Sequence, residues 1–180
     1  MSTKKMGIRI AIVVEDRMLE RFVRTSLLLL GYQKREIRVE CAPSGQGSGK
    51  NWVNGRLVKE VKAMRVKADQ RLAVLAGTDV DELEIAAREK QLSDSLKEDG
   101  TGDRNANERI AYWLPRWSVE TWLLRLVGEN VDEVTKYKHQ VKKPDYKALA
   151  KAFIESYRSE DNLGLQSLAH SYGETPRIEA

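Results

Sequence analysis

Leu72-Ala73-Val74-Leu75-Ala76-Gly77-Thr78-Asp79-Val80-Asp81 is a short apolar run that closes on two acids. Five apolar residues without polar alternation read as a strand covered on both faces, the pattern of a parallel sheet. An earlier run, Ile8-Arg9-Ile10-Ala11-Ile12-Val13-Val14, is branched, almost wholly apolar, and also ends in an acid, Glu15. In an open α/β sheet, ligands sit beyond the carboxyl ends of the strands. Two neighbouring strands ending in Glu15 and in Asp79 and Asp81 would bring three carboxylates to one crevice. Clustered carboxylates repel and resist ionisation unless a cation is near. Hard oxygen donors select Mg²⁺ or Mn²⁺ over zinc, and such sites commonly serve phosphates.

Outward from these two runs the chain alternates strand and helix. Met18, Leu19, Phe22, Val23, Leu27 and Leu30 recur at helical spacing and stop at Gly31. Glu36 to Cys41 reads as an edge or half-exposed strand, with Ile37 and Val39 set against charged neighbours. Ala42 to Asn51 is a Gly/Ser loop, and Trp52 to Val66 has helical period. Glu82 to Leu96 reads as a charged helix with Leu83, Ile85, Ala86, Leu92 and Leu96 as its buried stripe. Lys97 to Asn107 is a polar loop, Ile110 to Leu114 a fourth strand stopped by Pro115, and Trp117 to Val127 a helix before Gly128. This order predicts an α/β fold: a Rossmann-like, mostly parallel four-stranded sheet flanked by helices and joined by right-handed crossovers.

Beyond Gly128 the character changes. Val131 to Lys143 is polar and basic, and Asp145 to Tyr157 and Leu163 to Tyr172 predict two short helices. They hold too few apolar residues for a core of their own. The expected organisation is an α/β domain over 1–128, with a basic linker and a short helical extension over 129–180 packed on it.

Composition narrows the function classes. The 180 residues are 41% hydrophobic and 32% charged, enough for one core under a well-solvated surface. The net charge of +4 comes from 31 basic against 27 acidic residues, a small excess that makes a polyanionic partner plausible. One cysteine, Cys41, excludes an internal disulfide and a cysteine-built zinc site, and two histidines argue against a zinc hydrolase. No apolar segment approaches the length of a membrane span, and Arg9, Glu15 and Asp16 interrupt any signal-type region after Met1 to Lys5. A soluble cytoplasmic protein without membrane partners is the expectation.

Three motifs compete for the chemistry. Asp-x-Asp at a strand end can aim both carboxylates of Asp79 and Asp81 at one metal, with Glu15 binding a second metal or moving protons. The plain alternative makes Asp79 or Asp81 a helix cap. The loop Ser44-Gly45-Gln46-Gly47-Ser48-Gly49-Lys50-Asn51 is not a Walker A motif, because Ser44 stands where its first Gly belongs and Asn51 where Ser or Thr belongs. It reads either as a phosphate-approaching loop with Lys50 as charge partner or as a surface loop. In Pro115 to Trp122, Arg116 can reach a phosphate bidentately, and Glu120 can face the same crevice. Trp113, Trp117 and Trp122 are expected in the core ahead of serving as base-stacking platforms, Arg104 and Arg109 as surface charge, and His139 as solvated.

Val13-Val14-Glu15, the Asp79-Val80-Asp81 pair and the strand–helix order resemble the Toprim fold, shared by topoisomerases, primases and overcoming-lysogenization-defect (OLD) nucleases. More narrowly, the chain is similar to small stand-alone Toprim-like proteins of prokaryotes over Pro43 to Trp52, Asp79 to Leu92 and Leu114 to Leu124, within about residues 8–127. The resemblance implies a general acid/base role for Glu15 and magnesium bound by Asp79 and Asp81, with Glu120 a possible addition. Asp16 replaces the glycine usual after the glutamate, and Gly77-Thr78 separate the third strand from Asp79, a spacing expected to displace the aspartates. The function expected is a Mg²⁺- or Mn²⁺-dependent nuclease acting on DNA ahead of RNA. Catalysis is expected from Glu15, Asp79, Asp81 and Lys50, substrate binding from Arg116, Lys142 and Lys143, and metal binding from Glu15, Asp79, Asp81 and Glu120. It would be the effector subunit of a prokaryotic anti-phage system with an ATPase partner. The alternative is a non-catalytic Toprim-like binding or regulatory subunit; a small phosphotransferase using the Gly-rich loop is the weakest of the three.

Overall fold

The computed structural model describes residues 7–45, 47–68, 70–82 and 84–179. The N-terminal lysines, Gln46 of the glycine loop and Leu83 of the expected helical stripe lie outside the described residues. Four strands, β1 (Arg9–Val14), β2 (Ile37–Cys41), β3 (Leu72–Gly77) and β4 (Ile110–Trp113), alternate with four helices, α1 (Arg17–Leu29), α2 (Gly49–Val66), α3 (Ile85–Glu98) and α4 (Val119–Leu126). Two more helices, α5 (Tyr146–Arg158) and α6 (Gln166–Glu179), follow. The sheet is wholly parallel in the order β2-β1-β3-β4, as the strand–helix alternation predicts.

The two-residue period of each strand sorts its side chains onto two faces. Ile10, Ile12 and Val14 of β1, with Leu75 of β3 and Trp113 of β4, join a core with residues of α1, α4, α5 and α6. Val13, Val74, Ala76 and Tyr112 face a second core built with α2 and α3. In the first core Phe22, Trp113 and Phe153 pack ring to ring, with Phe153 centroids 5.3 Å from Phe22 and 4.9 Å from Trp113. Each such ring, withdrawn from water, stabilises the fold by about 1.5–3 kcal/mol. Residues of α5 and α6 are therefore part of the same apolar cluster as the sheet.

Both edges of the sheet have a physical account. β2 is half-exposed along its length, as its charged alternation predicts. β4 is buried at every residue, because Glu174 of α6 accepts the Tyr112 N–H at 2.9 Å and occupies the open edge. Gly77 is not an insertion after β3 but its last residue, paired with Val14 and Trp113. A side chain there would press on Leu19 and Val14, 3.1 Å from each, so glycine is what lets β3 run on beside β1. Sheet-like bonding continues past the strand, with Thr78 N–H to the Trp113 carbonyl at 3.3 Å and Val80 N–H to the Pro115 carbonyl at 3.0 Å. No helix among the described residues is long and apolar enough to cross a membrane.

Candidate functional site

β1 and β3 are the central neighbours, and their crossovers leave in opposite directions, to β2 on one side and to β4 on the other. That reversal opens a crevice beyond the strand ends, the place where open α/β sheets hold ligands.

Glu15 is the first residue past β1. Its Oε2 accepts the Thr78 hydroxyl at 2.7 Å and the Asp79 N–H at 3.1 Å, so the acid after β1 is fastened to the segment after β3. Its aliphatic part lies against Gly49, where a Cβ would come within 2.7 Å of Glu15 Cγ. Asp16 caps α1 by accepting the Met18 and Leu19 N–H groups at 2.8 and 2.9 Å.

Asp79 is 4% exposed, and its Oδ1 has no hydrogen-bond partner among the described residues. Burial drives its pKa well above the ordinary carboxylate range, and the charges of Glu15, Asp16 and Asp81 push it the same way while Lys138 opposes them. Glu120, buried in the first turn of α4, accepts the His139 N–H at 3.1 Å through Oε1. Glu15, Asp79 and Glu120 line one open cavity of about 450 Å³, together with the glycine loop and Lys138.

Asp81 goes elsewhere. Its backbone is left-handed, φ +51°, its side chain is half-exposed, and it forms an ion pair with Lys50. Both line an adjoining cavity of about 550 Å³ with Glu82, Trp117, Lys136 and Lys138. Lys138 therefore borders both cavities. Arg116 lies 3.7 Å from Glu84 and lines neither cavity. Lys142 and Lys143 are exposed on the segment before α5 and line neither cavity.

One site residue escaped the sequence reading. Arg88 of α3 is 1% exposed, yet no carboxylate among the described residues bonds to it. Its Nη2 donates to Thr78 Oγ1 at 3.3 Å and its Nη1 to Gln91 at 2.9 Å. Thr78 then donates to Glu15, so the chain Arg88–Thr78–Glu15 carries positive charge toward the acid. Burial lowers the Arg88 pKa, and the fields of Glu15 and Asp81 raise it again. The signal was in the sequence: Arg88 stands four residues before Leu92 and eight before Leu96, on the buried stripe, while Ala86, expected there, is exposed.

Three ligand atoms of Glu89, His170 and Glu174 lie within 4.8 Å of one another, a set that could hold a metal ion. No other set of three His, Cys or acid ligands comes as close among the described residues, so Glu15, Asp79, Asp81 and Glu120 are not gathered that tightly. Charge balance distinguishes the two places. Arg104 is paired with both Glu89 and Glu174, and Arg177 lies 3.3 Å from Glu174. Guanidinium groups already supply the cations there, whereas Asp79 has none bonded to it among the described residues. Arg104 is thus not plain surface charge: its side chain is only 12% exposed, paired with Glu174 of α6, and its guanidinium lies 3.8 Å from the Tyr112 ring centre.

Of the three tryptophans expected in the core, Trp113 and Trp122 are fully buried. Trp117 is not, because it precedes α4 instead of opening it and adopts φ +60°. A left-handed backbone costs a non-glycine residue about 1 kcal/mol, and such strain gathers at functional sites.

Comparison of the chain with family models, with curated proteins and with solved structures finds no match.

Proposed function

We propose that the crevice beyond β1 and β3 is a divalent-cation-dependent phosphodiesterase site and that the protein is a Toprim-type nuclease, acting on DNA ahead of RNA. The supporting observation is the buried, unpartnered Asp79 Oδ1 beside Glu15 at the point where the sheet reverses. A carboxylate so placed fits a hard cation, because among the described residues no cation is bonded to it and only the field of Lys138 opposes the cost of its burial. Asp79, Glu15 and Glu120 would hold it, and Asp81 would join once Lys50 releases it. When bound, Mg²⁺ or Mn²⁺ supplies Lewis-acid charge to a phosphodiester.

The chain's own groups do the rest. Thr78 and the Asp79 N–H fix the Glu15 carboxylate where it can take a proton from an attacking water. Lys138, between the two cavities, and Lys50 offer positive charge to the phosphate. Lys142, Lys143 and Arg116 would follow the nucleic-acid backbone further out. The ATPase partner and the place in a prokaryotic anti-phage system belong to the same reading and rest on the resemblance to OLD-type nucleases.

One observation favours the second reading, a non-catalytic binding or regulatory subunit: Lys50 already neutralises Asp81, as a fixed internal cation would. Incubation with single- and double-stranded DNA and RNA in Mg²⁺ or Mn²⁺, with and without chelator, separates the two. Cation-dependent cleavage should fall at least a hundredfold in Glu15→Gln while nucleic-acid binding is kept. Equal cleavage by both proteins overturns the nuclease, and binding without cleavage by either supports the regulatory subunit. Replacing Lys142 and Lys143 by Ala should reduce the slope of log affinity against log salt by about 2, one phosphate contact each.

A further inference from the structure

We propose that the cavity beside the acid crevice is a base-stacking subsite and that its ligand is an unpaired nucleotide of single-stranded nucleic acid. The inference deepens the nuclease reading and rests on it. Four features of Trp117 support it. It lines the cavity while Trp113 and Trp122 are fully buried. Its backbone is held in the left-handed region, which turns the ring away from the core that the neighbouring residues enter. Its Nε1–H donates to the Glu133 carbonyl at 3.2 Å, so the edge of the ring is anchored. Finally, Lys136 Nζ sits 4.3 Å from the ring centre and Arg116 lies 5.8 Å from it.

An aromatic face ringed by Lys136, Lys138 and Lys50 offers what a single strand presents, a flat π-face and a phosphate on either side. Lys136 covers the ring as a cation–π partner and is weakly held there. It also lies 3.6 Å from Glu82, with both side chains mostly exposed, and such a pair contributes little. A base can take the ring while Lys136 moves to the adjoining phosphate. A duplex keeps its base faces stacked and cannot enter without unpairing. Lys138 lines this cavity and the acid cavity alike, so a strand whose base rests on Trp117 has its backbone directed toward Glu15 and Asp79.

Binding is measured at low salt in Ca²⁺ with fluorescent oligo(dT), oligo(U), an abasic strand of equal length and a duplex. Wild type should prefer the base-bearing strands to both the abasic strand and the duplex. Trp117→Ala should lose tenfold to a hundredfold in affinity for the base-bearing strands and little for the abasic one, and Trp117→Phe should keep most of it. A second measurement needs no variant: strands carrying 5-iodopyrimidines, irradiated in complex with wild type, should crosslink to Trp117. Wild-type affinity in Trp117→Ala, or crosslinks confined to other residues, overturns the subsite and leaves the nuclease reading standing. Failure to bind any of the four probes overturns both.

Discussion

A methyl group on Gly49 would stand 2.7 Å from Cγ of Glu15: the first residue of α2 lacks a side chain where the acid after β1 lies against it. The glycine loop and the acid are one device, with α2 seated on the side chain that β1 delivers.

Gly49→Ala should therefore destabilise the protein, against the general trend. In an exposed helix interior the change adds about 1 kcal/mol. Here Glu15 must move and give up two hydrogen bonds, at about 1 kcal/mol each, so urea unfolding should register a net loss of about 1 kcal/mol. In a Glu15→Ala background the same change should become neutral or stabilising. An identical effect in both backgrounds would show that the two residues are not coupled.

Asp79 makes stability depend on pH. Its folded pKa lies well above the ordinary 3.8 because of burial and then its acidic neighbours. A raised folded pKa means the native state holds its proton longer than the unfolded chain does. The associated stability is fully present below about pH 4 and is lost as pH rises through the folded pKa. Thermal unfolding without divalent cations should show this decline, Asp79→Asn should flatten it, and Mg²⁺ or Mn²⁺ should offset it at neutral pH. A wild-type protein whose pH profile matches that of Asp79→Asn would refute the assignment.

Arg88 should be costly to remove although it makes no direct ion pair with a carboxylate among the described residues. Arg88→Ala strips the buried cation from the Thr78–Glu15 chain, and a loss of about 3 kcal/mol is expected, the scale for an uncompensated buried charge. Adding Glu15→Gln should recover about 1 kcal/mol, because the charge left behind is then gone. Strictly additive losses in the double variant would mean that Arg88 acts only by packing.

The Glu89–His170–Glu174 cluster should respond to zinc only when its arginine is removed. His170, as first cause, and Arg104 hold the Glu89 pKa below the usual carboxylate value, and Arg104 pairs with both glutamates. In Arg104→Ala, Zn²⁺ should raise Tm by mass action, and Glu174→Gln in that background should abolish the rise. A zinc response of equal size in wild type and Arg104→Ala would show that the guanidinium does not fill the place of a metal.

Local pattern determined the elements, because period 2 against period 3.6 is written in neighbouring residues. From Ile8 to Val14 and from Leu72 to Ala76, a parallel sheet covered on both faces was legible, as was the half-exposed edge of Glu36 to Cys41. That Glu15 and Asp79 come together was legible too, since acids that follow two neighbouring parallel strands emerge at the same end of the sheet. What lay beyond reach depended on contacts between residues distant in sequence. Gly77 reads as an insertion until β1 is laid beside it. Asp81 is two residues from Asp79, but a left-handed backbone turns it to Lys50 and out of the acid cavity. Arg104 and Glu174 are seventy residues apart and become a partly buried pair only when α6 closes over β4. Arg88 was visible as a charge on an apolar stripe, yet its partner Thr78 comes from the end of another element. Side-chain direction at turns and the neutralisation of buried charge are properties of packed neighbours, and only the tertiary structure decides which neighbours those are.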